Sequence, residues 1–181
     1  MIQEFIKFQV VGLATIISVY TDLRFGKIFN KITFPLFFSG LIYNLIFNKF
    51  EGFVNSLIGA FIAFAFFYIF FQLGGVGGGD VKLITGIGSW IAYPSILLII
   101  FLTSIAGLLI SLIYSFLKGN TLVVLRGVVR EGKEGFIGFL NSLYAKRSCF
   151  YDKERSFKLH IPYSLAIAFG TFFGIFIDLI K

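Results

Sequence analysis

The strongest constraint on this chain is the absence of charge over long stretches. From Phe53 to Leu73 there is no Lys, Arg, Asp or Glu. As a helix, a run of that length spans roughly the 30 Å hydrocarbon core of a bilayer. The pattern recurs along the chain, which is 57% hydrophobic and 14% charged with a mean hydropathy of +0.92. A soluble domain of 181 residues could not bury that much apolar surface, so the expected class is an all-α polytopic membrane protein. The 26 phenylalanines are well tolerated in lipid, and the 8 tyrosines suit its interfaces. A single cysteine, Cys149, excludes an intrachain disulfide and a zinc ribbon. No secretory cleavage pattern opens the chain, so the first apolar segment is expected to be retained.

Six apolar segments are expected. They are residues 5–21, 32–48, 53–73, 81–93, 95–117 and 161–180, with Lys49, Glu51 and Gly52 forming a tight turn after the second. Pro35 falls in a first helical turn, where its missing donor costs little. The fourth segment is short, about 20 Å as a helix, and is expected to turn near Pro94 into the fifth. Basic residues set the orientation. Arg24, Lys27 and Lys31 crowd the first loop, and residues 118–160 carry nine basic against four acidic residues. Positive loops stay in the cytoplasm, and four crossings between these two place both on that side. Both termini and Lys49 are then expected outside. Residues 1–181 are expected to form one membrane-embedded domain, with 118–160 a cytoplasmic basic loop or an interfacial helical insertion on anionic lipid.

Between the third and fourth segments stands Gly74-Gly75-Val76-Gly77-Gly78-Gly79-Asp80-Val81-Lys82. Glycines permit tight turns and close approach of another helix or a substrate chain, and an acid beside a membrane segment marks a functional site. The plain alternative is a flexible loop whose acid caps the next helix. A second acid, Asp22, ends the first segment at the same boundary at which Asp80 opens the fourth. Two neighbouring carboxyls share a proton and titrate as a unit. One can act as base on water while the other donates a hydrogen bond to a scissile carbonyl. Such a pair needs no metal, cofactor or nucleophilic serine. A different reading stays open, in which a small transporter or channel uses the paired acids to bind a cation or relay protons. A transporter usually shows inverted repeats, and none is visible.

Gly77-Gly78-Gly79-Asp80 fits the G-x-G-D motif of intramembrane aspartyl proteases. The longer run to Leu83 resembles the type IV prepilin peptidases and the archaeal preflagellin peptidases. Asp22-Leu23-Arg24-Phe25-Gly26-Lys27-Ile28-Phe29-Asn30 is similar to their first-aspartate motif, and Ile161-Pro162-Tyr163-Ser164-Leu165-Ala166-Ile167-Ala168 resembles their final helix. The resemblance implies an endopeptidase of a prokaryotic cell membrane. It would cut a short basic leader after a glycine, at the cytoplasmic face, from pilin-like or flagellin-like precursors. Asp22 and Asp80 would be catalytic, with Gly77 and Gly79 shaping the motif. The bifunctional bacterial enzymes carry an additional domain with paired Cys-x-x-Cys motifs for N-methylation; this chain looks like the short form without it. Presenilin and signal peptide peptidase share G-x-G-D but fit the other segments poorly.

The remaining residues carry open readings. Lys82 lies on a different helix face from Asp80 and contacts either lipid phosphate or substrate. Arg24 either pairs with Asp22 or anchors the interface. His160 reads as an interfacial residue and Cys149 as a free thiol. Membrane lipids are expected partners, and nucleic acid is not.

Overall fold

The structure, a computed structural model, describes residues 2–72, 75–117 and 163–180. Five helices make up this part: α1 (Ile2–Phe25), α2 (Asn30–Gln72), α3 (Gly78–Ile91), α4 (Ile96–Leu117) and α5 (Tyr163–Ile180). The expected all-helical class holds among the described residues. Three helices, α1, α2 and α4, are long and apolar enough to cross a membrane, while the apolar part of α5 is shorter. Large apolar side chains such as Phe38, Ile46, Phe61, Phe101 and Leu108 stand exposed on the outside of the bundle, as a lipid-facing surface requires. The expectations for 118–160, Cys149, His160, Gly74 and Pro162 lie outside the described residues.

The second and third apolar segments form a single helix in α2, broken at Lys49, whose backbone takes φ 55° and ψ −152°. The break folds α2 into a hairpin that clasps α3. The first arm runs alongside α3 in the same direction. Asn30 meets Lys82, the Leu36 side chain lies where a Cβ on Gly86 would come within 3.0 Å, and Gly40 sits against Ser89 and Trp90. The second arm returns. Gly59 abuts Gly88 and Ala92, and Phe71 reaches Gly78. Asn44 and Ser56, on opposite arms, both donate to the Ser89 carbonyl. The backbones touch at Gly59 and Gly88, where a Cβ on either residue would lie 2.8 Å from the other's carbonyl oxygen. That approach requires glycine on both sides.

Clasped in this way, α3 is the innermost element. Leu83, Ile84, Ile87 and Trp90 are buried against Leu36, Tyr43, Ala63 and Phe67. The Trp90 indole N–H donates to the Leu36 carbonyl at 2.9 Å. The turn expected near Pro94 is present at residues 93–95, and the Tyr93 N–H donates to the Asn55 carbonyl across the base of the hairpin. Helices α4 and α5 form a second tight pair, with Gly170 against Thr103 and Gly174 against Ile99. Helix α1 closes on α5 through Phe8 and Phe172, whose ring centroids are 6.0 Å apart. One consequence governs the site. The last turn of α1, the loop to α2, and the first turns of α3 and α5 all meet at one end of the bundle.

Candidate active site

Asp22 lies in the last turn of α1, not at its final residue; the helix runs on to Phe25, and the Gly26 N–H donates to the Asp22 carbonyl at 2.7 Å. Its side chain is 5% exposed. Oδ2 accepts a hydrogen bond from the Ser164 hydroxyl at 2.6 Å. Ser164 stands in the first turn of α5 and is fully buried.

Asp80 is the third residue of α3 and 8% exposed. Oδ2 accepts the Gly77 N–H at 3.2 Å, the return half of a capping box whose other half glycine cannot supply. The capping role is therefore real, and it occupies one oxygen only. Oδ1 is buried with no hydrogen-bond partner. A buried carboxyl oxygen with no protein partner is costly, and a proton, a water or a bound group that joins it would relieve that cost. α1 packs on α3, which brings the two acids within each other's electrostatic reach; the Tyr163 phenol lies within that of Asp80.

The glycines have distinct tasks here. Gly77 caps α3 in an extended conformation and offers its N–H to Asp80. Gly79 lets the α1–α2 loop close over the helix start, because a Cβ there would lie 3.0 Å from the Ile28 Cβ. Loop and helix are tied again where the Lys82 ammonium donates to Asn30 Oδ1 at 2.9 Å. Lys82 is thus engaged within the protein, a partner that spacing along one helix could not disclose. The Arg24 guanidinium lies over the rings of Tyr20 and Phe25, 5.9 and 5.5 Å from their centroids, and donates to the Tyr20 hydroxyl. This is the geometry of an interfacial anchor.

The structure also adds two residues to the neighbourhood. Tyr163 and Ser164 open α5 beside the acids; the Tyr163 ring packs edge-on to Phe67 at 6.1 Å. The sequence shows them within the segment 161–168 that resembles the family's final helix, but gives neither of them a partner. Among the described residues no group of three or more His, Cys, Asp or Glu forms, so the acids stand as a pair.

The type IV leader peptidase family matches residues 10–112, a span containing both acids. Among similar curated proteins are three prepilin leader peptidase/N-methyltransferases. That of Xanthomonas campestris is 31% identical over 106 residues, that of Legionella pneumophila 31% over 121, and that of Neisseria gonorrhoeae 28% over 98. These alignments cover 55, 63 and 50% of this chain and 37, 42 and 34% of the relatives. The chain thus spans well under half the length of the relatives it matches. No solved structure matches.

Proposed function

Because the chain belongs to the type IV leader peptidase family, we propose that it is a membrane aspartyl endopeptidase that removes the leader from type IV prepilin-like precursors. Asp22 and Asp80 are its catalytic pair, and neither a metal nor a cofactor takes part. The observation that carries this reading is the buried, unpartnered Oδ1 of Asp80 in the same neighbourhood as the Asp22 carboxyl. A transporter or channel is not favoured, since the relatives are peptidases by name. The N-methyltransferase part of those names is not carried over.

The chemistry needs one proton shared between the two acids. The ionised carboxylate takes a proton from water as the water oxygen bonds to the scissile carbonyl carbon. The protonated partner gives its proton to the carbonyl oxygen, forming a gem-diol. The carboxyl that took the water proton then gives it to the amide nitrogen while the other carboxylate takes a proton from a gem-diol hydroxyl; the C–N bond breaks, the acid and amine products separate, and the pair again holds one proton. Burial of both carboxyls strengthens these interactions by excluding bulk water.

The loop 26–29 and the start of α3 form the cytoplasmic end in this reading. Arg24, Lys27 and Lys31 cluster there, in accord with the positive-inside rule. Lys49 and the 93–95 turn then face outward. The substrate is a pilin-like precursor whose basic leader ends at a glycine before an apolar segment. The test is co-expression with such precursors from the same genome. Wild type should produce a leader-sized shift, while Asp22→Asn and Asp80→Asn, both still inserted, should produce none. Cleavage near the wild-type rate by either variant would end the two-aspartate reading.

A further inference from the structure

The Ser164–Asp22 bond joins the two ends of the described chain, 142 residues apart in sequence. It rests on the peptidase reading above for its meaning, and it adds to it a residue that no acid motif contains. We propose that Ser164 is a positioning residue: it fixes the Asp22 carboxyl in its working orientation and reserves Oδ2 as a hydrogen-bond acceptor, so that the proton shared by the acids is carried elsewhere.

Three features support this. At 2.6 Å the contact lies in the range of hydroxyl–carboxylate hydrogen bonds, which are short and stronger than neutral ones. Ser164 and Asp22 are buried, so bulk water does not compete for the hydroxyl. The carboxyl torsion of an aspartate is otherwise broad, and the Ser164 hydroxyl narrows the orientations open to Asp22. Each acid is then held at one oxygen by a different donor. Ser164 holds Asp22 from α5, and the Gly77 N–H holds Asp80 from the start of its own helix. A proton on Asp22 Oδ2 would displace the serine hydrogen, so the bond bears on where the acids keep their proton as well as on their geometry.

Among the described residues, the other buried serine and threonine hydroxyls that make a bond donate to backbone carbonyls, Ser56 and Ser89 across to Ser89 and Phe37 respectively. Thr15, Ser18 and Thr171 all donate to carbonyls of their own helices, the usual resting place for a hydroxyl in an apolar segment. Ser164 instead reaches across to another helix and to an ionisable group. Thr171 therefore makes an internal control, since it is buried on the same helix and bonds only Ile167 and Ala168 carbonyls.

The experiment uses purified full-length protein and a precursor already shown to be cleaved by wild type. Ser164→Ala and Thr171→Ala are compared for kcat, KM, the rate–pH profile and thermal midpoint. Ser164→Ala should lower kcat roughly ten- to a hundredfold, the scale of losing one hydrogen bond to a charged group. Its KM should stay within about twofold and its pH profile should be displaced. Thr171→Ala should keep kcat and an unmoved profile whatever its thermal midpoint. Should Ser164→Ala be too unstable to purify, Ser164→Cys replaces it, filling the site with only a weak donor, with the same expectations in direction. The inference is overturned if the Ser164 variants keep wild-type kcat and profile, or if Thr171→Ala moves both equally. Those results would leave the peptidase reading intact provided Asp22→Asn is inactive; an active Asp22→Asn would instead remove the premise.

Discussion

Asn44 offers a quantitative test of how α2 holds α3. It is fully buried, and its amide donates to the Gly40, Ser89 and Trp90 carbonyls at 3.1, 2.9 and 3.2 Å. Helix α3 ends at Ile91, so the carbonyls of residues 88 to 91 lack donors within the helix. Gly88 is served by the Ala92 N–H, Ser89 by both Asn44 and Ser56, and Trp90 by Asn44. Asn44→Leu substitutes an apolar side chain with the same number of heavy atoms and should orphan the Trp90 carbonyl. One buried unsatisfied carbonyl costs about 1–3 kcal/mol. For a protein of this size that corresponds to roughly 2–12 °C in Tm. Ser56→Ala alone should cost less, because Asn44 still covers Ser89. Together the two substitutions should exceed the sum of the singles by about 1 kcal/mol or more, since only the double strips Ser89. Trp90 is the only tryptophan, so its fluorescence during thermal unfolding in detergent reads this end of α3 directly. An Asn44→Leu melt within a degree of wild type, or strict additivity in the double, would refute the reasoning.

Gly88→Ala should destabilise the protein although alanine favours helix by ~1 kcal/mol, because the new Cβ would meet the Gly59 carbonyl at 2.8 Å; Gly12→Ala, which meets only the Phe172 ring at 3.5 Å, should be neutral or stabilising in the same melts. EDTA should leave leader cleavage by purified protein unchanged, and inhibition reversed by added zinc would contradict an acid pair working alone. Reporter fusions after Lys27 and Lys82 should read cytoplasmic and a fusion after Lys49 external; Lys27 and Lys82 on opposite sides would also contradict the Lys82–Asn30 bond.

Much of the candidate site was legible because its two acids fall at breaks in hydropathy, where ionisable residues stand out. The same breaks predicted turns at Lys49 and near Pro94, and both are present. Lateral relationships were not legible. Hydropathy assigns depth along the bundle axis but says nothing about which helix faces which. Ser164 therefore stood only within a segment resembling the family's final helix, with nothing to tie it to Asp22, and Asn44 was not singled out at all. The destination of Lys82 depends on a neighbour 52 residues away. The extent of α2 was missed for a related reason: one residue with left-handed φ turns the chain without the run of turn-forming residues that usually announces a loop.

The brevity of α3 bears on how the two acids would meet water. Fourteen residues rise about 21 Å, some 9 Å less than a typical hydrocarbon core. Because α2 clasps it, α3 meets protein rather than lipid along most of its length, so its longer neighbours enclose the ends it leaves short. A helix that starts inside such an enclosure is tolerated because its irregular approach is buried in protein or lines a wet cavity. In the proposed peptidase the short helix thus makes protein, not the bilayer, the wall against which Asp80 meets water.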